Sequence, residues 1–229
     1  MEGFTFVVRD GSVIDFSRYI AVLREHGVSP TGINQLRVRL SQVYGTRRAI
    51  VEVANGTASL SLRPLSARPM EITVDSAGVL DQRRDPLTRS GADLGWQQGL
   101  ISRTRADEGM LVDDKGLIIS SFMSPFLMMK DGVVHASAHP RTTASIATDG
   151  VLDLLVSEGV EVRWLEQGFR RDHLMSHETW SISGVYGARL VTGWLEYGGV
   201  VPARTGIDRM GIPTHREVNE MRELRYEIV

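Results

Sequence analysis

Apolar and polar residues alternate through Phe4-Thr-Phe-Val-Val-Arg9 as a half-buried strand requires. Asp10-Gly11 then supplies a hairpin turn before Val13-Ile14. From Asp15 to His26 the period changes: Phe16, Tyr19, Ile20 and Leu23 recur at helical spacing, and Gly27 is placed to end the helix. Ile33 to Tyr44 repeats that pattern through Leu36, Leu40 and Val43, closed by Gly45. Ala49–Val53 and Leu60–Arg63 read as paired strands around Asn55-Gly56, a type I′ turn signal, and Pro69–Val74 as a further strand.

The second half is richer in hairpins. Ala92–Ser102 is expected to be helical with Leu94 and Leu100 turned inward. Gly109–Val112 and Leu117–Ser121 flank Asp113-Asp-Lys-Gly116, and Phe126–Met129 and Val133–Ala136 flank Lys130-Asp-Gly132. Thr148 reads as the N-cap of a helix over Asp149–Glu158, with Val151, Leu152, Leu154 and Leu155 on its apolar face. Strands follow at Val160–Trp164, Glu178–Ser183 and Arg189–Trp194, with a short helix at Arg171–Ser176. The pattern predicts an α+β chain: a small unit over 1–80, a polar connection over 81–90 containing Asp85-Pro86, and a larger β-rich unit with helices over 91–229.

Composition narrows the chemistry. With 26 Lys plus Arg against 28 Asp plus Glu, the chain of 229 residues carries a net charge of -2, which argues against electrostatic binding of nucleic acid or a membrane surface. There is no cysteine, so disulfides, thiolate nucleophiles and Cys-ligated metals are excluded. No leader sequence or membrane span is visible, and a cytoplasmic protein is expected. Among the basic residues only Lys115 and Lys130 are lysines; every other one is arginine. His173 and His177, on the short helix, have a spacing that suits a metal pair, but no third ligand accompanies them, and no metal is expected.

Four segments, in order, resemble the pyridoxal-phosphate fold-type IV family, which includes branched-chain aminotransferase, D-amino acid aminotransferase and aminodeoxychorismate lyase. They are Ala106-Asp-Glu-Gly-Met-Leu-Val-Asp-Asp-Lys-Gly116, Phe126-Leu-Met-Met-Lys-Asp-Gly132, Ala144 to Val162, and Glu178-Thr-Trp-Ser-Ile-Ser-Gly184. Phe4–Gly11 and Phe16–Leu23 match its amino-terminal motifs more loosely. The resemblance implies a two-domain fold with a shortened amino-terminal domain, a homodimer, and amino or imino acid substrates handled between the domains.

The chain departs from that family where its chemistry is done. The lysine that forms an imine with pyridoxal phosphate is expected near Asp85–Leu87, yet no lysine lies between Asp81 and Glu108. Arginine cannot replace it, because a guanidinium stays protonated and is no nucleophile. The carboxylate for the pyridine nitrogen maps to Ser120, and the phosphate-binding pair to Ile146-Ala147. Pro125, Val185, Val22 and Tyr19 stand where the family has polar or basic groups. No cofactor is therefore expected.

Placed around the former cofactor position by the resemblance are Asp85, as an acid–base group, and Arg89 and Arg189, for bidentate carboxylate binding. Trp96, Ser120, Ser121, Phe122 and Ser124 are placed there too, with Ser183 and Tyr186; Phe122 and Tyr186 offer stacking faces. Ala147 and Thr148 mark a helix N-terminus able to attract an anion. Three readings stay open: a cleft repurposed to bind or convert a small carboxylate, a non-catalytic pseudo-enzyme acting as a binding or partner subunit, and a pyridoxal-phosphate enzyme with atypical attachment.

Overall fold

The computed structural model describes residues 2–88, 91–206 and 209–229. Strand β1 (Glu2–Arg9) turns through Asp10 and Gly11, both at positive φ, into β2 (Ser12–Ile14). Helix α1 (Phe16–Glu25) buries Phe16, Tyr19, Ile20 and Leu23, the stripe that helical spacing predicts. Helix α2 (Pro30–Ser41) starts earlier than its apolar positions suggest, because Ser29 accepts the Gly32 N–H and Pro30 sits in the first turn. Strands β3 (Thr46–Ala54) and β4 (Thr57–Pro64) pair through Asn55 and Gly56, at φ 51° and 72°.

Strand β5 (Glu71–Leu80) corrects the expected boundary. It leaves the amino-terminal unit and pairs in parallel with two strands of the second sheet, β6 (Glu108–Val112) and β12 (Gly187–Glu196). Parallel partners lie far away in sequence, so a local pattern cannot reveal which sheet such a strand joins. After α3 (Gly91–Arg103), the chain forms β6, β7 (Ile118–Ser121), β8 (Phe126–Lys130) and β9 (Val133–Ser137). Then come α4 (Ile146–Ser157), β10 (Glu161–Leu165), α5 (Arg171–Ser176), β11 (Glu178–Ser183) and β12. Strand β13 (Gly199–Pro202), α6 (His215–Glu223) and β14 (Tyr226–Ile228) complete the chain.

Two sheets result. The first has the order β14-β2-β1-β3-β4, so the carboxy-terminal strand closes the amino-terminal sheet; the second runs β10-β9-β8-β11-β12-β5-β6-β7, with β13 beside β12. Strand β8 is buried on both faces. Leu127 and Met129 pack with α4 residues Val151 and Leu155, while Phe126 and Met128 pack with Ile118, Phe169 and Trp194. In α3 the buried side chain is Gln97; Leu94 and Leu100 are only half-buried, and Gln97 Nε2 donates to the Phe122 carbonyl at 2.5 Å. Helix α4 begins at Ser145, whose hydroxyl accepts the Thr148 N–H, so Thr148 lies inside the helix and is not its cap.

The two sheets meet tightly behind β11, where a Cβ on Gly184 would stand 2.5 Å from the Thr5 carbonyl oxygen of β1. Gly184→Ala is expected to lower stability by about 1–3 kcal/mol, read as a reduced urea midpoint. Gly95→Ala, where nothing lies within 4 Å of the added atom, should match or exceed the wild type in the same measurement.

Candidate functional site

The connection expected to carry the lysine is held by an arginine cluster. Arg83 is buried and grips Asp81 with a fork, Nε to Oδ1 at 2.9 Å and Nη2 to Oδ2 at 2.8 Å. Its Nη1 donates to Thr143 Oγ1 at 2.7 Å and to the Pro86 carbonyl at 3.2 Å, and Nη2 reaches the Arg141 carbonyl at 2.8 Å. Arg141 Nε adds a 2.9 Å bond to Asp81. Burial alone would raise the Asp81 carboxyl, but these bonds outweigh it and hold the group down at about 2. The connection is thus pinned to the loop before α4.

Beside this cluster the Ser120–Ser124 turn is closed upon itself. Ser120 Oγ donates to the Ser121 carbonyl at 2.8 Å, and Ser121 Oγ accepts the Ser124 N–H at 2.9 Å. The space bounded by Arg83, Leu94, Gln97, Ser120 and Thr143 is about 10 Å³, room for one water at most. Phe122 is buried beneath Gly109, where a Cβ would collide with its ring, so it offers no free face for stacking. Asp85, the expected acid–base group, is exposed in the 85–88 turn, its backbone N–H bonded to Asp93 at 2.8 Å. Trp96 is half-buried on α3, away from the residues that line the cleft, and Arg89 lies outside the described residues.

The remaining expected residues do come together. Ser124, Ser183, Tyr186 and Arg189 line a cavity of about 310 Å³ between the sheets, facing Arg48, Ile50 and Glu52 of β3 and the exposed Arg68. On its wall Arg189 Nη2 donates to Glu108 Oε1 at 2.8 Å, with both side chains almost wholly buried. Arg189 Nε has no partner among the described residues, and neither has Arg48 Nε. Burial pushes the Glu108 carboxyl up, and the Arg189 charge together with hydrogen bonds from Ser121 and the Met123 backbone pulls it only part of the way back. The Tyr186 ring lies 5.8 Å from the Arg189 guanidinium carbon, with its hydroxyl bonded to the Ser66 carbonyl at 3.1 Å.

Glu108 belongs to the 106–116 motif, and no local pattern distinguishes Arg48 or Arg68 from the other arginines. An acidic residue opening an otherwise apolar strand, Glu108 before Gly-Met-Leu-Val, was the available signal for a buried carboxylate. Ala147 lines a separate cavity at the start of α4, and Thr148 Oγ1 is buried without a partner. Lys115 is exposed after β6 and Lys130 half-buried at the end of β8; neither lines the cleft. Among the described residues no group of three potential ligands gathers to hold a metal, and no helix is long and apolar enough to cross a membrane.

The fold these residues sit in is shared with solved structures. A hypothetical aminotransferase from Mycobacterium tuberculosis, in its alpha-ketoglutarate and PMP bound form, has a TM-score of 0.75 at 12% identity, covering 98% of this chain and 88% of that one. Branched-chain amino acid aminotransferase from Escherichia coli gives 0.68 at 16%, covering 96% and 82%. A protein assigned as a 4-amino-4-deoxychorismate lyase from Legionella pneumophila gives 0.67 at 12%, covering 91% and 88%. No protein-family model matches the sequence, and no curated protein is significantly similar to it. The chain has the fold of the fold-type IV aminotransferases and aminodeoxychorismate lyases over nearly its whole length.

Where the resemblance would place pyridoxal phosphate, the residues present do not fit it. The predicted attachment point is the Arg83-bound turn around Pro86, and the face beside Ser120 is closed.

Two consequences are measurable. Asp81 lends stability that is present above the ordinary carboxylate range and lost as pH falls through about 2. Asp81→Asn should be less stable at neutral pH and lack that part of the acid limb, about 2 kcal/mol in denaturant titrations. Arg189→Met, which strands Glu108, should cost about 3–5 kcal/mol, and Glu108→Leu added to it should restore a large share.

Proposed function

We propose that the protein uses the fold-type IV cleft to recognise a small organic carboxylate without imine chemistry. The observation that carries this reading is the cavity wall itself, which is lined by three arginines, Arg48, Arg68 and Arg189, with Arg68 exposed. Guanidinium forks suit carboxylates, and a cleft of about 310 Å³ admits a molecule of metabolite size. Glu52 and Glu108 offset part of the positive charge, so a ligand that also carries an amino group would find acceptors on the same wall.

Pyridoxal phosphate has no place in this reading. Both lysines lie outside the cleft, and Arg83 fills the connection from which the family's amine would reach in. Incubation with pyridoxal phosphate followed by borohydride should place no reduced adduct on any peptide lining the cleft, whatever forms at exposed Lys115 or the terminal amine; an adduct on a cleft residue would return the protein to the pyridoxal-phosphate enzymes.

A second reading, proton transfer, rests on Glu108, a residue lining the cavity whose carboxyl is pushed up by burial. Asp85, exposed in its turn, takes no part in it. We propose also that the protein works as a homodimer in the cytoplasm, a state supported by the family resemblance and by a chain free of cysteine.

Calorimetric titration with succinate tests the principal reading. Arg68→Gln removes an exposed charge at the cavity rim and should weaken succinate about tenfold while leaving thermal stability unchanged. Equal affinity in the variant, or no heat with the wild type, would remove the cleft from consideration as a carboxylate site.

A further inference from the structure

Behind the Gly184–Tyr186 turn, which it shares as a wall with the cleft, lies a second cavity of about 170 Å³. That is many times the roughly 10–15 Å³ needed for one water. Its polar end is Arg222 of α6. This guanidinium is nine-tenths buried; Nε has no partner, and Nη1 makes only a long 3.4 Å contact with Asn219 Oδ1. Asn219 is already committed, its amide bridging the Ala188 N–H at 2.9 Å and the Ala188 carbonyl at 2.8 Å. Gly187, at φ 71°, leaves the room that Arg222 occupies, since a Cβ there would collide with Nη1.

The carboxylates nearby are already spoken for. Asp15, buried at φ 53°, pairs with Arg225 at 2.5 Å, and Glu223 pairs with Arg9 at 2.6 Å. Arg222 forms no ion pair among the described residues, although Asp15 and Glu223 attract it from the same wall, whose apolar part is Phe6, Leu65 and Met70 with the rings of Tyr19 and Tyr226. A cation so far from water is costly unless an anion meets it, and burial indeed lowers the Arg222 pKa. A buried guanidinium with no carboxylate in contact calls for an anion. The apolar and aromatic walls call for a hydrocarbon portion attached to it.

We propose that Arg222 and this cavity form a second ligand site, distinct from the cleft, that takes a small monocarboxylate with an apolar or aromatic tail. The carboxylate meets the guanidinium at Nε and Nη, and the tail lies between Phe6 and Leu65.

Benzoate is the probe, followed through the Arg222 Nε–H resonance in the full-length protein, with Arg222→Lys supplying the assignment. Titration to about 10 mM should shift that resonance with saturation. Leu65→Trp, which fills the cavity and leaves Arg222 in place, should weaken benzoate at least about tenfold. Arg68→Gln should leave the Arg222 shift unchanged, which separates this site from the cleft. Arg222→Met should lose the rise in melting temperature that benzoate gives the wild type; if that variant does not fold, Leu65→Trp carries the test alone. An unmoved Arg222 resonance, full affinity in Leu65→Trp, or a shift produced by inorganic phosphate in place of benzoate would each overturn the proposal.

Discussion

A carboxylate and a guanidinium placed in a nearly dry interior must hold each other, because neither has water to turn to. Glu108 and Arg189 do so at 2.8 Å across the start of β5, from strands on either side of it. Such a pair adds little net stability, yet losing one member is severe. Its value here is positional. The pair fixes the Arg189 guanidinium beside the cavity, while Ser121 and the Met123 backbone help hold the Glu108 carboxylate. The parallel register of β5 against both β6 and β12 fixes the spacing between them. The strand whose sheet membership was unreadable is thus the strand on which the site depends.

The kind of chemistry such a wall supports follows from its cations. An amine can lose its proton and attack a carbonyl; a guanidinium remains charged and binds by geometry. A cleft lined by arginines is suited to recognition by charge and geometry. Arg83 carries this furthest. Its fork on Asp81 and its bonds to Thr143 and Pro86 hold the connection in place against the loop before α4.

Local features were legible wherever the physics is local. The Asn55-Gly56 turn, the α1 stripe and the two hairpins over 108–137 follow from φ preferences and periodicity, and the chain adopts them. The starts of α2 and α4 were misread because a capping serine sits a turn ahead of the apolar positions. Helix α6 is polar on most of its faces and escaped the apolar pattern, although Thr214 and Glu217 form a capping box visible in the sequence. In the site, Ser124, Ser183, Tyr186 and Arg189 were placed by resemblance and do meet, whereas Ser120 and Phe122 were consumed by packing. A motif tells which strand a residue occupies; whether its side chain faces a cavity depends on neighbours such as Gly109 and Gln97, which no local pattern reports.

The carboxy-terminal segment shows how two compartments come to share a wall. Strand β14 pairs with β2, with Tyr226 opposite Ile14, and Arg9 stacks on the Tyr226 ring at 4.9 Å. This return places α6 against β12, where Asn219 binds the backbone of Ala188 beside Arg189. The strand that presents Arg189 to the cleft is therefore clamped from behind by the helix that presents Arg222 to the second cavity. Anything that shifts α6 must disturb the Ala188 clamp, and with it the adjoining Arg189. The two compartments thus share one wall, held by two hydrogen bonds and one turn.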